Sequence, residues 1–154
     1  IFITVAFIGM SLYAQSADVV TDILDPEKTP KITYGQACYL SAVSQNLIQE
    51  DASFEDALSA LAANGQISSS ITDPNQEIDL SHLAAVYTKM FNVNGGLFFK
   101  ITKGSPRYAL RRLKSDGIVP QNYDPSKVLT GSEALSLFTS CLIKYGEDQF
   151  TEEL

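Results

Sequence analysis

Apolar residues recur at helical spacing along most of the chain. Ala37, Leu40, Val43 and Leu47 mark one stripe, Leu83, Val86, Tyr87 and Met90 a second, and Ala134, Leu137, Phe138 and Cys141 a third. Each places one buried face on an amphipathic helix. Two shorter stretches, Phe54 to Gly65 and Pro106 to Gly117, share Ala-Leu-x-x-Leu-x-x-x-Gly at an offset of 52 residues. Polar and breaking residues bound all five. Thr33 with Gln36, and Thr130 with Glu133, have capping-box form. Asp79, Ser53 and Ser105 are capping residues at three further starts, with Pro106 at the favoured first helical position. Gly65 and Gly117 suit the left-handed position that ends a helix. Asn92 to Gly96 is a turn signal. The run Leu97 to Ile101 reads as a short strand or a buried linker, because five residues are too few for periodicity to decide.

The shared segments extend into a repeat. Asp25-Pro26, Asp73-Pro74 and Asp124-Pro125 each precede an apolar residue (Ile32, Ile78, Leu129), a cap and an amphipathic run. The unit is a helix, a glycine stop, a loop with Asp-Pro and a second helix. The first copy lacks its leading helix unless Ala17 to Leu24 supplies one.

These residues resemble the S-layer homology (SLH) family. Tyr108 through Leu142 is the fullest match, with Gly117-Ile118-Val119 and Asp124-Pro125 before Leu129-Thr130-Gly131-Ser132-Glu133-Ala134. The family's Thr-Arg-Ala-Glu tetrad stands here as Thr33-Tyr34-Gly35-Gln36, Asp79-Leu80-Ser81-His82 and Thr130-Gly131-Ser132-Glu133, without the Arg in any copy. The resemblance implies an all-α fold of three helix-loop-helix repeats in a compact pseudo-threefold arrangement. It also implies non-covalent attachment to cell-wall polysaccharide or related envelope polymers, in grooves between repeats.

The first 14 residues, IFITVAFIGMSLYA, carry no charge, and Asp18 is the first charged residue. The run is shorter than the roughly 20 residues of a membrane span. Small residues at Ala14 and Ser16 fit a cleavage site, so residues 1–16 read as a signal peptide whose n-region is missing. The expected organisation is then a repeat domain over 17–146, with repeats at about 17–49, 53–93 and 105–145, and an acidic tail over 147–154. Such a chain is exported, periplasmic or envelope-associated in a bacterium, with no stable membrane span in its mature part. Export leaves two readings of Cys38 and Cys141 open: one disulfide, or two small buried thiols.

Composition narrows the chemistry. The 154 residues suffice for one ordinary domain, and a hydrophobic content of 45% supports a packed core. A net charge of −7 disfavours nucleic acid as a partner, and a single His excludes a multi-histidine metal site. Cys38 and His82 are too little to read as nucleophile and base, and the Asp-Pro loops lack the EF-hand pattern. No cofactor and no enzymatic activity are therefore expected. The clearest local feature is basic: Lys100, Lys103, Arg107, Arg111, Arg112 and Lys114 hold six of the 11 bases. Arg107, Arg111 and Lys114 share one helical face. With Arg112 and the neighbouring Tyr108 they form the candidate site for anionic cell-wall glycan or peptidoglycan. The alternative function is an adaptor on the same scaffold, docking an envelope protein.

Overall fold

The structure is a computed structural model that describes residues 12–150. Among these the chain forms α1 (Leu12–Leu24), α2 (Tyr34–Ser44), α3 (Phe54–Ala63), α4 (Leu80–Met90), α5 (Leu97–Ile101), α6 (Pro106–Ser115) and α7 (Gly131–Phe150). The fold is mostly helical, and its β character is limited to two isolated antiparallel bridges among the described residues, Thr33 to Glu77 and Asp79 to Val128. The cleavage point expected after Ser16 falls inside α1, which runs unbroken to Leu24. Residues 1–11 of the expected leader lie outside the described residues. So do 151–154 of the expected tail, while α7 continues past Gly146 to Phe150.

Caps set most of the helix starts. Thr33 Oγ1 accepts from the Gln36 N–H at 3.4 Å, and Gln36 Oε1 accepts from the Thr33 N–H at 3.1 Å. Thr130 and Glu133 exchange the same two bonds at 3.2 and 2.9 Å. Ser53 is capped reciprocally by Asp56, and Asp79 accepts from the His82 N–H at 2.9 Å. Ser105 departs from expectation: its hydroxyl makes no capping bond, and Pro106 alone marks that start. At the other ends Gly65 (φ 68°) and Gly117 (φ 75°) are left-handed, as are Asn46 (φ 56°) and Asn92 (φ 48°). Leu47 therefore lies beyond α2 and is 37% exposed, so the buried stripe of that helix stops short of it. The run Leu97 to Ile101 is neither strand nor buried linker but the short helix α5, with both terminal residues exposed.

The closest pairs are α2 on α3 and α4 on α6; α1 packs on α7, and α2 on α4, to a smaller and equal extent, with lesser contacts of α4 with α7 and α5 with α6. The Asp-Pro loops tie these pairs together. The first residue of α2, Tyr34, donates its N–H to Gln76 O at 2.8 Å, in the loop before α4. Leu80 of α4 donates to Lys127 O at 2.8 Å, in the loop before α7, and Gly131 of α7 donates to Thr29 O at 3.1 Å, in the loop before α2. The three bonds close a ring. Ile32, Ile78 and Leu129 are buried within it, Ile32 N–H bonding Leu129 O at 2.8 Å and Ile78 N–H bonding Ile32 O at 3.2 Å. In each loop the Asp carboxylate accepts from the N–H two residues on (Glu27, Asn75, Ser126), which forms the turn.

Cys38 and Cys141 are both buried and both free. Burial pushes each thiol up to about 12. Tyr87 is fully buried beside them and donates its hydroxyl to Ala134 O at 3.2 Å. Its ring meets Phe138 edge-on at 5.5 Å, joining α4 to α7.

Candidate functional site

Helix α6 buries Ala109, Leu110 and Leu113, so its basic residues lie around the remaining surface. The expected site residues differ in what they touch. Arg112 turns towards the helix end, where its Nε donates to Asp116 Oδ2 at 2.7 Å. The hydroxyl of Tyr145, from α7, donates to the same oxygen. Arg112 thus belongs to a lock between α6 and α7. Lys114 Nζ donates to the carbonyls of Gln121 (3.0 Å) and Tyr123 (2.7 Å), holding the loop before α7. Arg107 and Arg111 remain exposed. Arg111, Arg112 and Tyr108 line a cavity of about 310 Å³ together with Leu97, Phe99 and the Gly95-Gly96 turn.

The loop that Lys114 holds forms the wall of a different groove. This groove, about 280 Å³, runs between that loop and α7. Its lining is Tyr123 with Ile118, Val119 and Pro120 on the loop side, Leu80, Leu129 and Leu137 below, and Ser132, Glu133, Ser136 and Ser140 along α7. The Lys127 ammonium lies 4.5 Å from the centroid of the Tyr123 ring, so the ring is fixed by one lysine and its carbonyl by another. Glu133 accepts from Lys127 at 2.9 Å as well as from the Thr130 N–H. The Thr130 N–H and the Lys127 ammonium hold its carboxyl below the usual range. The groove therefore presents an aromatic wall, apolar sides and a line of hydroxyls with one carboxylate. That composition accommodates a ligand with both apolar faces and many polar edges.

A second groove, about 360 Å³, is built the same way one step earlier in the chain. Tyr34 takes the place of Leu80, Ile67 that of Val119, and His82, Ala85, Val86 and Lys89 those of Glu133, Ser136, Leu137 and Ser140. Here His82 Nδ1 lies 2.9 Å from Asp79 Oδ1, and burial holds Lys89 below the ordinary lysine range. Asp79 is itself opposed by burial, but bonds from Ser81 and His82 outweigh this and lower it. His82 is exposed in the first turn of α4, whereas the Cys38 thiol is buried and pushed up to about 12.

At the corresponding place on α7, Gly131 lies against α1. A Cβ there would stand 2.0 Å from Ile23 O and 2.8 Å from Thr29 Cγ2. The absence of a side chain lets α1 seat directly on the start of α7.

None of the groove residues is among the binding candidates read from the sequence. A signal existed: Ser132, Ser136 and Ser140 recur every four residues, which puts three hydroxyls on one face of α7. No protein-family model matches this chain, and no curated protein matches it.

Proposed function

We propose that the chain is a non-enzymatic cell-envelope module of three SLH-like repeats, exported after loss of its leader, that binds peptidoglycan or an anionic cell-wall polysaccharide. The observation that carries this reading is the groove between the Tyr123 loop and α7. A pyranose ring has apolar C–H faces and hydroxyl edges. Tyr123 offers a flat face to the first, and Ser132, Ser136, Ser140 and Glu133 offer partners to the second. The ring of hydrogen bonds between Asp-Pro loops, and the second groove of matching construction, support the three-repeat arrangement. Of the basic residues expected to bind, Lys114 serves this groove by positioning Tyr123.

Retention on purified peptidoglycan carrying its native polysaccharide tests the proposal. The full chain is expected to be retained. Tyr123→Ala, and Ser136→Trp, which fills the groove from an exposed position, are expected to release it while leaving the helical circular dichroism unchanged. Absence of retention by the unaltered chain overturns the function. Retention unchanged in both variants overturns the groove.

The second reading is a protein adaptor, favoured by Leu142 (46% exposed) and Ile143 (71% exposed) on α7. Crosslinking in cells separates the two, since an adaptor yields one dominant protein partner that Ile143→Ser abolishes.

A further inference from the structure

From Leu80 to Ser115 the chain contains no Asp or Glu, yet it holds seven of the 11 Lys and Arg. All 18 acids lie outside this stretch. Four of its bases, Lys100, Lys103, Arg107 and Arg111, are exposed, and none forms an ion pair with a described residue. Among them stand Leu97 and Ile101, 69% and 66% exposed. Their spacing of four places both on one face of α5.

The orientation of α5 is fixed by its middle residue. Phe99 packs against the core. A Cβ on Gly95 would stand 2.2 Å from Phe99 Cβ, so only glycine lets the chain turn this closely over the ring. Residues 97 and 101 are each two positions from 99, roughly 200° around the helix. Anchoring Phe99 inward therefore directs Leu97 and Ile101 outward. Leu97 also lines the cavity that holds Tyr108 and Arg111, so α5 brings an exposed apolar residue beside a base of α6.

We propose that the α5–α6 edge docks on an anionic phospholipid surface, Leu97 and Ile101 entering the interface while Lys100, Lys103, Arg107 and Arg111 meet the headgroups. Exposed aliphatic side chains beside bases match a surface that is apolar a few ångströms beneath a layer of negative charge. A polyanion in water satisfies the bases but leaves the aliphatic pair uncovered. The acidic remainder of the chain is repelled by the same surface, which leaves this edge as the face presented to it. This face is separate from the Tyr123 groove, so the inference goes beyond polymer binding and does not depend on it.

The chain has no Trp, so Leu97→Trp supplies a single reporter at an exposed position. Its fluorescence is measured in the full chain on adding vesicles of phosphatidylcholine with 30% phosphatidylglycerol, and vesicles of phosphatidylcholine alone. A blue shift, with quenching by acyl-brominated lipid, is expected for the anionic vesicles only. In sedimentation without the reporter, each of Lys100→Gln, Lys103→Gln, Arg107→Gln and Arg111→Gln is expected to weaken the anionic-lipid preference about fivefold. Leu97→Ser/Ile101→Ser is expected to weaken it about tenfold or more. The variants share the rest of the sequence, so the difference between variants reports on the edge. Three results overturn the proposal: no blue shift in the Leu97→Trp variant, equal binding to both vesicles, or an anionic preference untouched by the Ser pair. The last shows that the bases act without the aliphatic pair, which denies its entry into the interface.

Discussion

Substituting Gly131 by Ala tests whether α1 is seated on α7 as an integral part of the fold. In an exposed helix this exchange stabilises, by up to about 1 kcal/mol. Here the new Cβ would stand 2.0 Å from Ile23 O and 2.9 Å from Ile23 C. These are backbone atoms, so no rotamer change relieves the overlap, and α1 must withdraw by more than an ångström. Overpacking of this kind costs about 1–3 kcal/mol. The bond from the Gly131 N–H to Thr29 O, 3.1 Å long, is stretched in the same motion, at a cost of about 1 kcal/mol. The expected net loss is about 2–3 kcal/mol, or roughly 4–12 °C in Tm. Gly146→Ala is the control. Its Cβ would meet only the Leu142 side chain, at 3.1 Å from Cδ1, which can turn away, so it is expected to be neutral or stabilising. Thermal unfolding followed at 222 nm, with urea unfolding alongside, reads both. A Gly131→Ala protein as stable as the parent refutes the close seating of α1.

Other outcomes follow from the same contacts. With thiols pushed up to about 12, Cys38 and Cys141 are expected to be inert to Ellman's reagent at pH 8 in the folded chain and to react in guanidinium; rapid reaction of the native protein refutes their burial. An unfolded thiol titrates near 8.5, so the stability gained by keeping both neutral is complete below about pH 8.5 and is lost as pH rises from there towards 12, visible as a falling urea midpoint. Tyr145→Phe removes one of two donors to Asp116 Oδ2 and is expected to cost about 1–3 kcal/mol, with Arg112→Gln adding less than its separate cost in a double-mutant cycle; full additivity denies that the two act on one carboxylate.

Much of the fold was legible because it rests on local rules. Thr33, Ser53, Asp79 and Thr130 cap the helices whose starts they mark, and the stripes through Leu83 and Leu137 are buried. The failures have particular causes. Asn46 ends α2 in a left-handed conformation, a weaker written signal than glycine, so the apolar spacing runs one turn past the helix, to Leu47. In Leu97 to Ile101 the aromatic and β-branched content favours a strand, but the Phe99 anchor and the close turn at Gly95 decide for a helix. The basic face of α6 was legible as a spacing, yet its division was not. Arg112 answers to Tyr145 and Asp116, and Lys114 to two carbonyls that only the fold brings near. The serine line on α7 was written in the chain, but a polar helix face gains a partner only once the Tyr123 loop stands opposite it.

Among the described residues, the first residues of α2 and α4 each line a groove, whereas the first residue of α7 lies against α1. In both grooves the first residue of a helix contributes to the inner wall. Tyr34 and Leu80 supply it, and each lines the groove next to it. Gly131 supplies none, and α1 occupies the space up to its backbone. The loop before α2 is adjusted to suit. Its accepting carbonyl, Thr29 O, lies three residues before Ile32, whereas Gln76 and Lys127 lie two before Ile78 and Leu129. The added residue leaves room for Thr29 to be buried, with its hydroxyl donating to Asp22 O at 2.8 Å and accepting from Gln36 Nε2 at 3.0 Å. One loop thus closes the ring and fastens α1 at once. Widening that place into a third groove would require α1 to leave, and the same departure would break the ring bond that holds α7 to the loop before α2.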